Sequence, residues 1–253
     1  MNQVINLSIE ARMNSYRLPG KVLKKVNNMP LLAIQIKRCK KSKLINDIIV
    51  ATTKNKEDDQ IDKLCSELGV KCFRGSENDV LHRVLSAHQK HKSDIIVELT
   101  GDNPLQDPKL IDECVDKYLN SDFDFVNNGA LDENRLYPDG MDVAVFSRKL
   151  LEKIEFETRS MEEIKKKIKN IKVFKTSYQN VDNRYREHVI LYMKTSGLFK
   201  TYCVMPSKSI LQWPELSLTV DVQPQLDFIG NIVDQFKNLD FSLEDIILLL
   251  NHK

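Results

Sequence analysis

Apolar residues recur along the chain in two alternating rhythms. Short runs rich in branched side chains, Val4–Ile9, Asn46–Thr52, Val70–Phe73, Asp94–Leu99 and Asp124–Asn128, are too brief for helices and predict buried strands. Between them lie stretches with helical spacing. Pro30–Lys41 carries Leu31, Leu32, Ile34 and Ile36 and ends in a basic cluster suited to a helix C-terminus. Lys56–Leu68, with Ile61, Leu64, Cys65 and Leu68, is stopped by Gly69. Asp79–Lys90 and Asp107–Asn120 complete the set, the first with an acidic first turn and the second opened by Pro108.

Strands alternating with helices predict crossover units, because a parallel neighbour needs a helix-length connection. The expected fold is α/β: a mostly parallel open sheet with helices on both faces. After Asn128 the alternation breaks. Tyr137–Ser147 joins a turn at Pro138-Asp139-Gly140 to the alternating residues Met141, Val143 and Val145, predicting an added strand outside the main core. Ser160–Lys172, rich in Lys, Ile and Glu, reads as an insertion with a solvated charged face. Further on, Arg184–Lys194 predicts a helix, Phe199–Val204 a strand leaving the main sheet, and Ser217–Val222 a last strand. Two helices close the chain, one from Pro224 through Phe236 and one over Ser242–Leu250 with Ser242 as its cap. Residues 1–253 are expected to form a single domain, with a small β arm at about 129–205.

Charge adds little at the level of the whole chain. Lys and Arg number 38 against 36 Asp and Glu, a net charge of +2, so nothing points to a nucleic-acid partner. The five cysteines, Cys39, Cys65, Cys72, Cys114 and Cys203, are scattered without a Cys-x-x-Cys pair, which suggests reduced core residues rather than a disulfide frame or a zinc site. No apolar run approaches the length that spans a bilayer, and the N-terminus lacks a signal-peptide pattern, so a cytoplasmic location without membrane contact is expected.

The basic character that exists is local. Directly after the first strand, Ala11–Lys21 packs Arg12, Arg17, Lys21 and Ser15 around a Pro19-Gly20 turn. This lies beyond the strand end, where open α/β sheets bind ligands. Such a loop can offer backbone N–H groups and cations to a polyphosphate. It can equally be a solvated basic connection, since it lacks a Gly-Lys-Ser/Thr pattern. Asp102, in Thr100-Gly101-Asp102-Asn103-Pro104, sits where another strand stops, as a candidate metal ligand or an ordinary turn Asp. Asp221 stands in the same position after the last strand, or closes the turn before Pro224.

These motifs resemble those of the sugar-acid cytidylyltransferases, the group of CMP-sialate and CMP-ketodeoxyoctulosonate synthetases and the spore-coat polysaccharide protein F type. Ala-Arg-x-x-Ser-x-Arg-Leu-Pro-Gly-Lys at residues 11–21 resembles their signature loop. Phe73-Arg74-Gly75-Ser76 with Asp79 and Arg83, Leu99–Leu105 with Asp107, Tyr137–Val143, Arg186–Val189 and Leu218–Asp221 follow in the family's order. The chain departs at Asn14, where the spore-coat type has Gly, and at Tyr16, where it has Thr.

The resemblance implies a Rossmann-like nucleotidyltransferase fold and Mg²⁺-dependent transfer of CMP from CTP to a sugar acid, with release of pyrophosphate, by a homodimer. It implies that Ala11, Arg12, Ser15, Lys21, Arg74, Ser76, Asp79 and Asp102 contact the nucleotide. Arg12, Lys21 and Asp102 would be catalytic, and Asp102 and Asp221 would hold the metal. Tyr137, Asp142, Arg186 and His188 would face the acceptor, with Arg186 suited to gripping a carboxylate. His188 taken alone reads as a packed helix histidine, and no general base is assigned. Two other readings share these features: a nucleotidyltransferase for another triphosphate or a phosphorylated sugar or alcohol, and a catalytically silent nucleotide-binding protein.

Overall fold

The branched runs become strands and the helical stretches become helices over most of the chain. In the computed structural model, which describes residues 3–129, 135–159 and 184–251, the strands are β1 Ile5–Glu10, β2 Lys25–Val26, β3 Met29–Pro30, β4 Asp47–Thr53, β5 Lys71–Gly75, β6 Ile95–Thr100, β7 Phe125–Asn127, β8 Ala144–Ser147 and β9 Thr201–Cys203. The α-helices are α1 Leu31–Cys39, α2 Asp59–Leu68, α3 Val80–Lys90, α4 Pro108–Leu119, α5 Arg148–Glu157, α6 Arg184–Glu187, α7 Leu191–Thr195, α8 Gln223–Val233 and α9 Leu243–Asn251.

Seven strands form one sheet in the order β5-β4-β1-β6-β8-β7-β9. The β5-β4-β1-β6 block is parallel, β8 runs antiparallel to both β6 and β7, and β9 is parallel to β7. Strand order therefore reverses around β1: the chain moves outward through β4 and β5, then returns to place β6 on the other side. Loops leaving β1 and β6 diverge there and leave a crevice at the strand ends. A short hairpin, β2 with β3, turns through Asn27 and Asn28, both at positive φ, which asparagine tolerates better than most residues.

Two apolar layers cover the sheet. On one face Leu7, Ile9, Val97 and Leu99 pack with Ile34, Ile36, Ile111, Ile229 and Ile246 from α1, α4, α8 and α9. On the other, Ile49, Ala51 and Ile96 pack with Leu81, Val84 and Leu85 of α3 and Leu151 and Ile154 of α5. The second face is interrupted at the centre, where β1 presents Asn6 and Ser8, both buried, and β6 presents Glu98.

Four expectations are corrected. Strand β8 covers only Ala144–Ser147 and lies between β6 and β7 rather than outside the main sheet, and β9 pairs at that sheet's edge instead of leaving it. The helix expected over Arg184–Lys194 is two short ones, with His188 and the turn after it between them. The last strand, Ser217–Val222, makes a single parallel bridge, Ser217 to Asp139, closed by Asp139 N–H to the Leu216 carbonyl and Leu218 N–H to the Asp139 carbonyl, because further along Val220 N–H goes to the turn carbonyl of Asp102 instead. The expected insertion at Ser160–Lys172 lies outside the described residues. Among the described residues no helix is long and apolar enough to cross a membrane.

Candidate active site

The loop after β1 folds back on itself before it meets the other site loops. Gly20 N–H donates to the Met13 carbonyl at 2.8 Å, and Asp58 accepts from Met13 N–H at 2.7 Å. Gly20 adopts φ 68°, a conformation that favours glycine, and a Cβ there would stand 3.1 Å from the Met13 side chain. This turn aims Lys21 across the crevice. Its Nζ lies 2.9 Å from Asp102 Oδ2 and 2.8 Å from Asp221 Oδ1, and Arg17 Nη2 reaches Asp221 Oδ2 at 2.7 Å. Asp102 is steadied by Thr100 Oγ1 at 2.6 Å, and the Val220-to-Asp102 backbone bond at 2.9 Å locks the Asp221 segment to the Asp102 turn.

Asp102 and Asp221, 119 positions apart in the chain, thus converge on one cation-sized point, held here by the Lys21 ammonium. Two carboxylates at such a point fit a Mg²⁺ ion, which takes one or two carboxylates and completes its shell with phosphate oxygens and water. Among the described residues no cluster of three or more His, Cys, Asp or Glu gathers to hold a metal, at this point or any other.

The end of β5 and the loop after it have different roles from those expected. Arg74 donates to the carbonyls of Thr53 at 2.9 Å and Asn55 at 2.7 Å and pairs with Asp59 at 2.5 Å, so it ties down the loop after β4. Ser76 Oγ accepts from Asp79 N–H at 3.1 Å, and Asp79 caps α3 by accepting from His82 N–H at 3.0 Å. The cation that reaches the crevice from this side is Arg83, buried, with Nη1 2.5 Å from the Ser76 carbonyl. Gly75 makes room for it: a Cβ there would lie 2.7 Å from Arg83 Cγ. An arginine on the apolar face of α3, eight residues after a glycine, was the available sequence signal. Glu77 clips the two loops together, accepting from Asn14 at 3.0 Å and Asn55 at 2.7 Å, and these bonds hold its carboxyl below the usual range.

A cavity of about 400 Å³ is lined by Ala11, Arg12, Ser15, Arg17, Lys21, Arg83, Asp102 and Asp221, among others. A second, of about 210 Å³, lies beside it over β6 and β8 and includes Asp142, Arg135 and Val189. Glu10, Thr100, Glu187 and His188 line both. Asp142 is oriented by Arg135, 2.9 and 3.0 Å from its two oxygens.

Two expected acceptor residues stand elsewhere. Tyr137 is buried in the core, where burial raises its phenol and its hydroxyl has no partner among the described residues; the aromatic ring is worth more to packing than to a wet site. Arg186 is engaged with Asp79 at 2.5 Å, Thr158 Oγ1 at 3.1 Å and Glu155 at 3.6 Å, so it anchors α6 to α3 and α5 and thereby sets where His188 points. Arg74, Ser76 and Asp79 likewise do not line the larger cavity.

A family model described as cytidylyltransferase matches residues 8–235. An uncharacterized protein of Methanocaldococcus jannaschii is 35% identical over 245 residues, 96% of this chain and 88% of that one. The spore coat polysaccharide biosynthesis protein SpsF of Bacillus subtilis is 28% identical over 258 residues, 99% of this chain and 95% of that one. A solved cytidylyltransferase from Leptospira borgpetersenii superposes with a TM-score of 0.84 at 28% identity, covering 99% of this chain and 95% of that one.

Proposed function

The chain belongs to the cytidylyltransferase family, and from that premise we propose that it transfers CMP from CTP to a hydroxyl of a sugar acid and releases pyrophosphate. The observation that carries the reading is the convergence of Lys21, Asp102 and Asp221 beside Arg12, Ser15 and Arg17 at the mouth of the parallel strands. The sugar-acid acceptor is supported by the order of the motifs that resemble those of sugar-acid cytidylyltransferases.

Nucleotidyl transfer needs the triphosphate's charge neutralised and the attacking oxygen held in line with the leaving group. Arg12, Arg17 and Lys21 are placed to take the phosphates. As Lys21 and Arg17 turn to them, Asp102 and Asp221 are released from their present ion pairs and become available to a divalent ion. Mg²⁺ held there would offset the charge developing on the reacting phosphate. Arg83, fixed by the Ser76 carbonyl, adds a preorganised cation on the opposite wall. The smaller cavity, reached past Glu10, Thr100 and His188, receives the acceptor, with Asp142 and Arg135 among its polar lining. The resemblance also implies a pair of chains, which a concentration-dependent mass in light scattering tests.

The direct experiment incubates the protein with Mg²⁺, each of the four common nucleoside triphosphates and a panel of sugar acids, following pyrophosphate release and the mass of the product. Release with CTP and one acid, and formation of the CMP conjugate, is the expected result. Equal turnover with UTP overturns the choice of base, and turnover only with a phosphorylated sugar or alcohol overturns the acceptor.

A further inference from the structure

The polar side of the two central strands carries a row of hydrogen bonds that all run one way. Asn6 Nδ2 donates to Ser93 Oγ at 2.8 Å; Ser93 Oγ lies 2.8 Å from His88 Nδ1; His88 Nε2 lies 2.8 Å from Ser8 Oγ; and Ser8 Oγ donates to Glu98 Oε2. All five groups are buried, His88 on α3 and the others on or beside the strands it covers. Burial pushes the His88 imidazole down to about 3, so the ring is neutral and carries one N–H. Ser8 spends its single proton on Glu98, so that N–H is on Nε2 and donates to Ser8. The bare Nδ1 then accepts from Ser93, whose oxygen accepts from Asn6.

At the far end Glu98 and Glu10 stand on the same face of the paired strands β6 and β1, and both line the smaller cavity. Two carboxyls packed side by side oppose each other's ionisation, so one keeps its proton. Glu98 is the deeper of the two, with Oε2 already accepting from Ser8, and its Oε1 has no partner among the described residues. The proton belongs there. Glu10 lies beyond the end of the row, where the two cavities meet.

We propose that Glu10 is the general base of the transfer, a catalytic residue that Glu98 positions. The assignment rests on the reading above, in which a hydroxyl attacks CTP. The acceptor's hydroxyl oxygen bonds to the α-phosphorus as its proton passes to the Glu10 carboxylate. The bond from the α-phosphorus to the bridging oxygen breaks, and pyrophosphate leaves with that electron pair. The proton later leaves Glu10 for solvent through the open cavity. Besides Glu98 of β6, three charged or titratable groups on other elements face Glu10: Arg83 of α3 and His188 after α6 favour its ionised form, and Asp102 opposes it. Burial outweighs them and raises the Glu10 carboxyl above its ordinary 4.5, the direction that strengthens it as a base.

The test compares two isosteric variants, E10Q and E98Q, for kcat, KM for CTP and the pH profile of kcat. Both allow a hydrogen bond between the two side chains: in E10Q the amide oxygen can accept from a protonated Glu98, and in E98Q the amide N–H can donate to Glu10. A structural role predicts equal behaviour, a base predicts a split. E10Q is expected to lose about 10²- to 10⁴-fold in kcat, with KM for CTP and melting temperature little changed and the acid limb of the profile gone. E98Q is expected to lose about tenfold or less, within the span a repositioned base allows, and to keep a displaced acid limb. A near-normal kcat for E10Q, or an equal loss in both variants, overturns the assignment of Glu10 alone. Absence of transfer by the wild-type protein with every triphosphate and acceptor overturns the reading beneath it as well.

Discussion

Asp102 and Asp221 are held together by the ammonium of Lys21, whereas Glu10 and Glu98, at the same end of the sheet, are raised by burial above the ordinary carboxyl value. The difference follows from water. The two aspartates keep 26% and 21% of their side chains exposed and pair with the cations of the first loop. Glu98 is 5% exposed, and an ionised carboxylate there would cost several kcal/mol of lost hydration. Keeping the proton is the cheaper solution. One pair is therefore a cation site and the other a proton site, made from the same functional group.

The first way to break the comparison is to remove charge from the cation pair. Asp221→Asn or Asp102→Asn keeps the shape of the site and is expected to lower turnover at least about a hundredfold, about 3 kcal/mol in the transition state. Affinity for CTP, measured by calorimetry, should change far less. A near-normal rate for Asp221→Asn at saturating Mg²⁺ would reduce that residue to a turn-closing role.

The proton pair is sharpened through His88, on which its row of bonds depends. The folded imidazole is held at about 3 against an ordinary 6.5. A base with a depressed folded value stabilises the protein fully above the unfolded value and loses that stability as the pH falls. The window here runs from 6.5 down toward 3, and by pH 5 the loss should reach about 2 kcal/mol. Urea unfolding at pH 7 and pH 5 checks it, with His88→Gln expected to abolish this part of the difference.

Smaller effects belong to the frame around the two pairs. Gly75→Ala places a methyl group against the buried Arg83 stem and should cost about 1.5 kcal/mol, read by the melting temperature, together with weaker nucleotide binding. Arg186→Gln removes the tie from α6 to Asp79 and Thr158 and should cost about 1 kcal/mol. It should raise KM for the acceptor while leaving KM for CTP unchanged; the reverse pattern would put Arg186 on the nucleotide side.

Much of the cation site was legible in the sequence, because Arg12, Ser15, Arg17 and Lys21 share one loop and loop neighbours remain neighbours in space. Asp102 was legible as a carboxylate in a turn after an apolar run. The misplacements have physical causes. Arg74, Tyr137 and Arg186 are residue types equally suited to a site and to a frame, and only their partners, the Thr53 and Asn55 carbonyls, the apolar core and Asp79, distinguish the two. Glu10 and Glu98 were passed over because each is a single polar residue at or near the end of an apolar run, and nothing local shows that two such residues meet in space.

By itself the sequence determined the alternation of strand and helix, the parallel block it requires and the loop that gathers the cations, all of which follow from local periodicity and turn chemistry. The tertiary structure decided what periodicity cannot carry. It set β8 against the parallel block between β6 and β7, brought Asp221 to Asp102 through one backbone bond, and laid α3 over the polar side of β1 and β6. That last step turned a row of polar side chains into a buried one, because whether such a row faces water is fixed by the element packed against it and not by the strand itself.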